Sequence, residues 1–303
     1  VPGLASLYTS SGFVAESRFT MAVSLAENVH ERSPQIRDAS PIFVGGAPRS
    51  GTTLVRATLD CHPSIACGPE LRITPTIARL SSETEKYCGA VLSQHYGCKS
   101  DDIRLTFRQL MLGILDRYRA NSNKRRVAEK TPANALYFRQ LRDLFPDSPF
   151  VHVLRDGRDV VSSLLNMDWR DSFGRPLEIT QDASAAARAW VAHVEAARDA
   201  AKTDPDLFHE IRYEDIVCRQ RQTLGTLLDF VDEPWSDSVL RFFESRSIFS
   251  GQQESSAGQV SRPLYTQSIG RWRSTLTARQ KRELKHVAND WLVGLGYCSG
   301  SNW

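Results

Sequence analysis

Gly46, Arg49, Ser50, Gly51, Thr52 and Thr53 hold the clearest chemistry in the sequence. Gly46-x-x-x-x-Gly51-Thr52-Thr53 has the spacing of a phosphate-binding loop, with Thr52 standing where a lysine is usual. Glycines let backbone N–H groups turn inward onto an anion, and a following helix adds its dipole. Arg49 brings a planar, permanently charged fork for phosphate oxygens. In nucleoside-triphosphate enzymes the lysine sits on the β- and γ-phosphates, so its absence points to a nucleotide with a different phosphate layout. A kinase would also need a magnesium carboxylate, and none is evident. A second cationic cluster is Arg155-Asp156-Gly157-Arg158-Asp159. Arg155 reads as a ligand group; Arg158 reads as a surface ion pair with Asp156 or Asp159. Two phosphate clamps suit a nucleotide phosphorylated at both ends.

Both clusters need a strand in front and a helix behind. The apolar run 41–44 reads as a buried strand before the first loop, and 54–59 as the helix after it. Residues 150–154 form the strand before Arg155, and 160–165 begin the next helix. Further strands are expected at 126–129 and 207–213, with helices at 135–144, 183–202, 224–230 and 278–295. Alternation of this kind predicts an α/β fold, a P-loop-like parallel sheet flanked by helices. Ligands in such sheets bind at the carboxyl edge of the strands, where both clusters fall. Residues 1–40, with a helical pattern near 19–29, read as an N-terminal extension, and 41–303 as the main domain. Residues 251–270, rich in Ser, Gln and Gly, read as a long ordered loop of the functional kind.

The chain has 303 residues, 41% hydrophobic and 24% charged, which suits a globular protein. Lys and Arg number 38 against 35 Asp and Glu, a balance that does not argue for nucleic acid as a partner. No run approaches the ~18 apolar residues of a membrane helix, so no membrane segment is expected in this chain. It begins at Val1 without a signal-peptide pattern, as a mature or trimmed chain would. The cysteines are Cys61, Cys67, Cys88, Cys98, Cys218 and Cys298. No CxxC pair suggests zinc, and free or buried thiols are expected, with a Cys88–Cys98 bridge open in an oxidising compartment.

Pro48-Arg49-Ser50-Gly51-Thr52-Thr53-Leu54 resembles the 5′-phosphosulfate loop of sulfotransferases. The stretches 42–63 and Cys67-Gly68-Pro69-Glu70-Leu71-Arg72 are similar to tyrosylprotein sulfotransferases in particular. So are Val153-Leu154-Arg155-Asp156-Gly157-Arg158, Tyr213-Glu214, the run 256–263 and Gly270-Arg271-Trp272, so the resemblance spans about 41–296. It implies a fold around a parallel sheet and transfer of a sulfuryl group from 3′-phosphoadenosine 5′-phosphosulfate (PAPS) to an acceptor hydroxyl. The product is 3′-phosphoadenosine 5′-phosphate (PAP), and no metal is needed. By resemblance, Arg49, Ser50, Gly51, Thr52 and Thr53 hold the 5′-phosphosulfate, Arg155 and Ser163 the 3′-phosphate, and Tyr213 and Arg271 complete the nucleotide site. Glu70 matches the general base, Lys130 the cation that neutralises the transferring group, and Ser256 a hydrogen-bond donor to it. Glu129 is either the partner that orients Lys130 or a plain ion pair. Other branches use His as the base, which makes His62 the nearest rival; His152, inside a strand, reads as a core histidine.

Two departures bear on the acceptor. Arg72 keeps one acceptor-side cation, but Thr76 follows Ile73-Thr74-Pro75 where the family has Arg. Ala128 stands where the family has a Cys bridged to the Cys at the position of Cys67, so Cys67 loses that partner. The acceptor is therefore a peptide or protein tyrosine or a small-molecule hydroxyl. A PAPS-binding protein without turnover is the non-enzyme alternative, against which Glu70 and Lys130 both argue. A homodimer is compatible with such a chain. Arg-rich composition and the lack of an Asn-x-Ser/Thr sequon point to a bacterial cytoplasm; the alternative is the Golgi lumen, if an anchor has been trimmed.

Overall fold

Ile42–Gly45 forms strand β1, buried along its whole length, as a strand covered on both faces must be. A computed structural model of the chain describes residues 40–244 and 266–303. Around β1 lie β2 (Ile65–Cys67), β3 (Arg126–Lys130), β4 (Phe150–Leu154) and β5 (Phe208–Arg212). Every pairing is parallel and the order is β2-β3-β1-β4-β5. All five carboxyl ends therefore open on one edge. The phosphate loop leaves the centre of that edge, and the strands on either side diverge in sequence from it.

Alternate residues of each strand face opposite layers. Ile42, Val44, Ala128, Val151 and Val153 pack against α1 (Thr52–Asp60), with the later helices α7 (Tyr213–Cys218) and α8 (Gln220–Phe230) on the same side. Phe43, Val127 and Phe150 face α2 (Thr74–Tyr96), α3 (Ser100–Asn121), α4 (Phe138–Leu144) and the end of α6 (Ala183–Ala201). A third apolar cluster joins α5 (Gly157–Leu164) and α6 to α9 (Trp272–Thr275) and α10 (Ala278–Gly294). The expected α/β fold, a parallel sheet flanked by helices, is the one observed. Among the described residues no helix is long and apolar enough to cross a membrane.

Besides β2, which was not among the expected strands, three features differ from expectation. The helix read at 135–144 is broken: a 3₁₀ segment, Pro132–Tyr137, precedes α4, and Tyr137 leaves helical geometry at φ −127°. Asn134 commits its side chain to Val44 and Glu129 there, so the segment is tied to the sheet. The strand read to 213 stops at Arg212, because Tyr213 opens α7. The third difference is the pair of long helices α2 and α3, of 23 and 22 residues, which periodicity left unread. Each buries few side chains, α3 only Ile103, Met111 and Leu115, so the apolar stripe is thin. The pattern at 19–29 and most of the loop at 251–270 lie outside the described residues.

Candidate active site

The loop between β1 and α1 is shaped by close approach. Gly46 passes so near β4 that a Cβ there would meet the Val153 carbonyl oxygen at 2.4 Å, and its N–H donates to Pro132 O at 3.0 Å. Arg49 and Gly51 take left-handed φ values of 73° and 98°. A Cβ on Gly51 would strike the Tyr213 ring at 2.5 Å, so glycine is required on two counts. Ser50 is 1% exposed and its Oγ has no hydrogen-bond partner among the described residues. Helix α1 starts with no side-chain cap and no acidic residue in its first turn, so its positive end faces the loop.

Next along the edge, β4 delivers Arg155. Its guanidinium donates to Arg49 O (2.9 Å) and Ser268 O (2.7 Å) and lies 4.4 Å from the centre of the Tyr213 ring. Its Nε is buried and has no partner among the described residues. Arg49 Nε donates to Ser163 Oγ at 3.0 Å, and the hydroxyls of Tyr213 and Ser268 are 2.7 Å apart. The structure thus gathers Arg49, Ser163, Arg155 and Tyr213 at one place. Ser268 is an addition that no motif announced; its position in the 251–270 loop was the available signal. Arg271 is exposed at the start of α9, and no contact among the described residues joins its side chain to Arg155, Ser163 or Tyr213. Asp159 fixes that segment by accepting the N–H groups of Gly270 (2.7 Å) and Trp272 (2.9 Å). Arg158 pairs with Asp156 as anticipated, but the pair is buried, stacked on Trp272, and not on the surface.

On the other side of β1, β3 ends in Lys130, whose side chain is fully buried. Its Nζ donates to Glu70 Oε1 at 2.6 Å and to Thr53 Oγ1 at 3.5 Å. Glu70 arrives on the short loop that follows β2. That loop needs Gly68, where a Cβ would sit 2.9 Å from the Tyr118 ring of α3. Arg72, mostly exposed, reaches Glu70 Oε2 from outside at 3.4 Å. A carboxylate, a buried ammonium and a phosphate-loop hydroxyl therefore meet, brought from three segments.

Two expectations are corrected here. Glu129 does not orient Lys130: it takes its hydrogen bonds from Thr131 and Asn134 on the opposite face of β3. Burial, its largest influence, pushes its pKa up. His62 is no rival base: it is 1% exposed, Nδ1 accepts from Ser64 N–H at 3.2 Å and Nε2 then donates to Pro234 O at 2.9 Å. Ser256 lies outside the described residues. None of the cysteines is bridged, and burial pushes Cys67 up and Cys61 up to about 11, so neither thiol is an activated nucleophile.

Comparison with known proteins gives a consistent picture. A family model described as the sulfotransferase family matches residues 41–237. A protein-tyrosine sulfotransferase of Drosophila melanogaster is 30% identical over 277 residues, covering 86% of this chain and 52% of the fly protein. The chain thus spans about half the length of that relative. Among solved structures, the sulfotransferase domain of the Synechococcus PCC 7002 olefin synthase superposes with a TM-score of 0.58 at 20% identity, over 86% of this chain and 97% of that one. A mouse sulfotransferase, SULT7A1, complexed with PAP superposes at 0.50 and 16% identity, over 86% and 88%.

Proposed function

We propose, from the fact that this chain belongs to the sulfotransferase family, that it moves the sulfuryl group of PAPS onto an acceptor hydroxyl, a tyrosine phenol of a peptide or protein. The observation that carries this reading is the meeting of Glu70, Lys130 and Thr53 at the mouth of the phosphate loop. The nucleotide also fits the residues present. Ser50 Oγ and Arg155 Nε are buried without partners among the described residues, a state that costs about 1–3 kcal/mol per group unless a ligand supplies the bond. In this reading the first meets the 5′-phosphate and the second the 3′-phosphate. The PAP bound to the mouse neighbour supports the same nucleotide.

Bound there, PAPS would supply the activated sulfuryl group and depart as PAP. The amides and side chains of 49–53 hold its 5′ end, while Arg155 and Ser163 hold the 3′-phosphate. Tyr213 and Arg271 complete this site in the reading, and Ser256 joins them by resemblance. Glu70 accepts the proton of the acceptor, which a phenol of pKa ~10 does not shed unaided near neutrality. Lys130 neutralises the charge that builds on the bridging oxygen. The strand order, with β3 and β4 on either side of β1, supports a base and a 3′-phosphate clamp on opposite sides of the 5′ loop. Residues 1–40 form an extension in this reading, and the Arg-rich composition favours the cytoplasm over the Golgi lumen.

The fly relative's name supports tyrosine as acceptor. Thr76, exposed in the first turn of α2 where the family has Arg, favours a second acceptor, a small-molecule hydroxyl. Radiolabelled PAPS offered with tyrosine peptides, simple phenols and alcohols separates them. Label on a peptide tyrosine with release of PAP is expected; label on small phenols alone would choose the second reading. PAP at 100 times its Kd should stabilise the fold by ~2.7 kcal/mol, and PAP binding with no acceptor labelled would overturn both.

A further inference from the structure

One buried carboxylate beside this site has no part in the reaction as described. Glu129 is 3% exposed, and consecutive strand residues point to opposite faces, so it turns away from α1 while Lys130 turns towards it. Its Oε1 accepts from the Thr131 hydroxyl at 2.7 Å and its Oε2 from Asn134 Nδ2 at 2.5 Å. The backbone N–H of Leu71 donates to the same carboxylate. Thr131 Oγ1 in turn accepts the backbone N–H of Arg72 at 3.1 Å, and Asn134 Nδ2 also donates to Val44 O at 3.1 Å in β1. Both peptide N–H groups that follow Glu70 are thus tied to this hub, one directly and one through Thr131.

We infer that Glu129 is a positioning residue, whose carboxylate fixes the Leu71–Arg72 backbone and so keeps Glu70 against Lys130. The inference rests on Glu70 being the base. The loop between β2 and α2 has no strand or helix of its own, and Arg72 sits at a φ of 57°, a left-handed conformation that its surroundings must enforce. A base displaced by about 1 Å loses roughly 100-fold in rate. An apolar residue at 129, on the same face of β3 as Val127, would avoid the desolvation that Glu129 bears, but would leave its donors unpaired. With its oxygens filled and its side chain buried, Glu129 is not itself placed to take a proton from an acceptor.

Glu129→Gln keeps the shape but replaces one acceptor oxygen with a donor facing other donors. It should lower kcat roughly 10- to 100-fold while PAP affinity holds, and should speed amide exchange at Leu71 and Arg72. Combined with Glu70→Gln it should lose nothing more, since it acts through that residue. Thr131→Val, a milder variant in case the first folds poorly, should move kcat and the Arg72 amide in the same direction. Unchanged kcat per folded molecule in both variants, or a double variant slower than Glu70→Gln alone, would overturn the proposal. If the wild type labels no acceptor, the reading of Glu70 fails separately, and amide exchange decides. Equal protection of Leu71 and Arg72 in wild type and Glu129→Gln then rejects the positioning role.

Discussion

At the β1–β4–β5 end of the sheet edge, ligand groups come from backbone turns, a helix terminus and an arginine stacked on Tyr213. At the β2–β3 end, two side chains 60 residues apart meet in one ion pair, Glu70 with Lys130. Behind the first end stand densely packed helices: Trp190 and Ala187 of α6 meet Val160 and Val161 of α5. Behind the second stand α2 and α3, whose exposed faces carry Leu80, Tyr87, Val91 and Leu110. The first, donor end is built on two contiguous motifs, 46–53 and 155–159, that can be read over a few residues, although Arg49–Ser163 and Arg155–Ser268 then join distant segments. At the second, acceptor end one long-range ion pair does the joining, so a single substitution there is expected to act on rate more than on binding.

The sharpest way to break that contrast is Lys130→Ala. Removing a buried cation from a developing charge should slow turnover about 10²- to 10³-fold while PAP affinity barely changes. A large loss of PAP affinity would show that the two ends are not separate. Acid should act on the scaffold of the donor end. Burial, aided by the neighbouring His152 charge, pulls His193 of α6 from 6.5 down to about 4. The unfolded chain therefore takes up a proton that the folded one refuses, and stability falls as pH drops from 6.5 towards 4. The full contribution is on the order of 3 kcal/mol. Denaturant titrations of wild type and His193→Leu across that window should diverge, the variant being flatter; parallel curves would refute the burial argument. The smallest effect is expected for Arg155→Ala. Losing hydrogen bonds to a charged phosphate should weaken PAP by about 1.5–3 kcal/mol, with kcat at saturating donor little changed. Calorimetry showing unchanged PAP affinity would remove Arg155 from the nucleotide site.

The same contrast explains what could be read in advance. β4 was legible residue for residue, because an apolar run bounded by Pro149 and Arg155 admits little else. The phosphate loop was legible because its glycines, arginine and hydroxyls fall in one run between a strand and a helix, although the contacts that require Gly46 and Gly51 come from the distant Val153 and Tyr213. Arg158 was legible as a structural ion pair because its partner, Asp156, is two residues away. Helices α2 and α3 were not, since they bury too few side chains for a periodic signal. Glu129 was misread because its partners lie on Thr131, Asn134 and a loop near residue 71, none of which spacing reveals. His62 needed the structure to show both ring nitrogens engaged by backbone.

The central claim is that Glu70 removes the acceptor proton, and the pH dependence of kcat/KM in wild type and Glu70→Gln tests it most directly. The amide keeps the shape but cannot accept a proton, so turnover should fall about 10²- to 10⁴-fold with PAP binding retained. The wild-type rate should decline on the acid side as the carboxylate takes up a proton. That limb should be absent in Glu70→Gln. An acid limb that survives the substitution at the same pH, with turnover close to wild type, would contradict the account and place the base elsewhere.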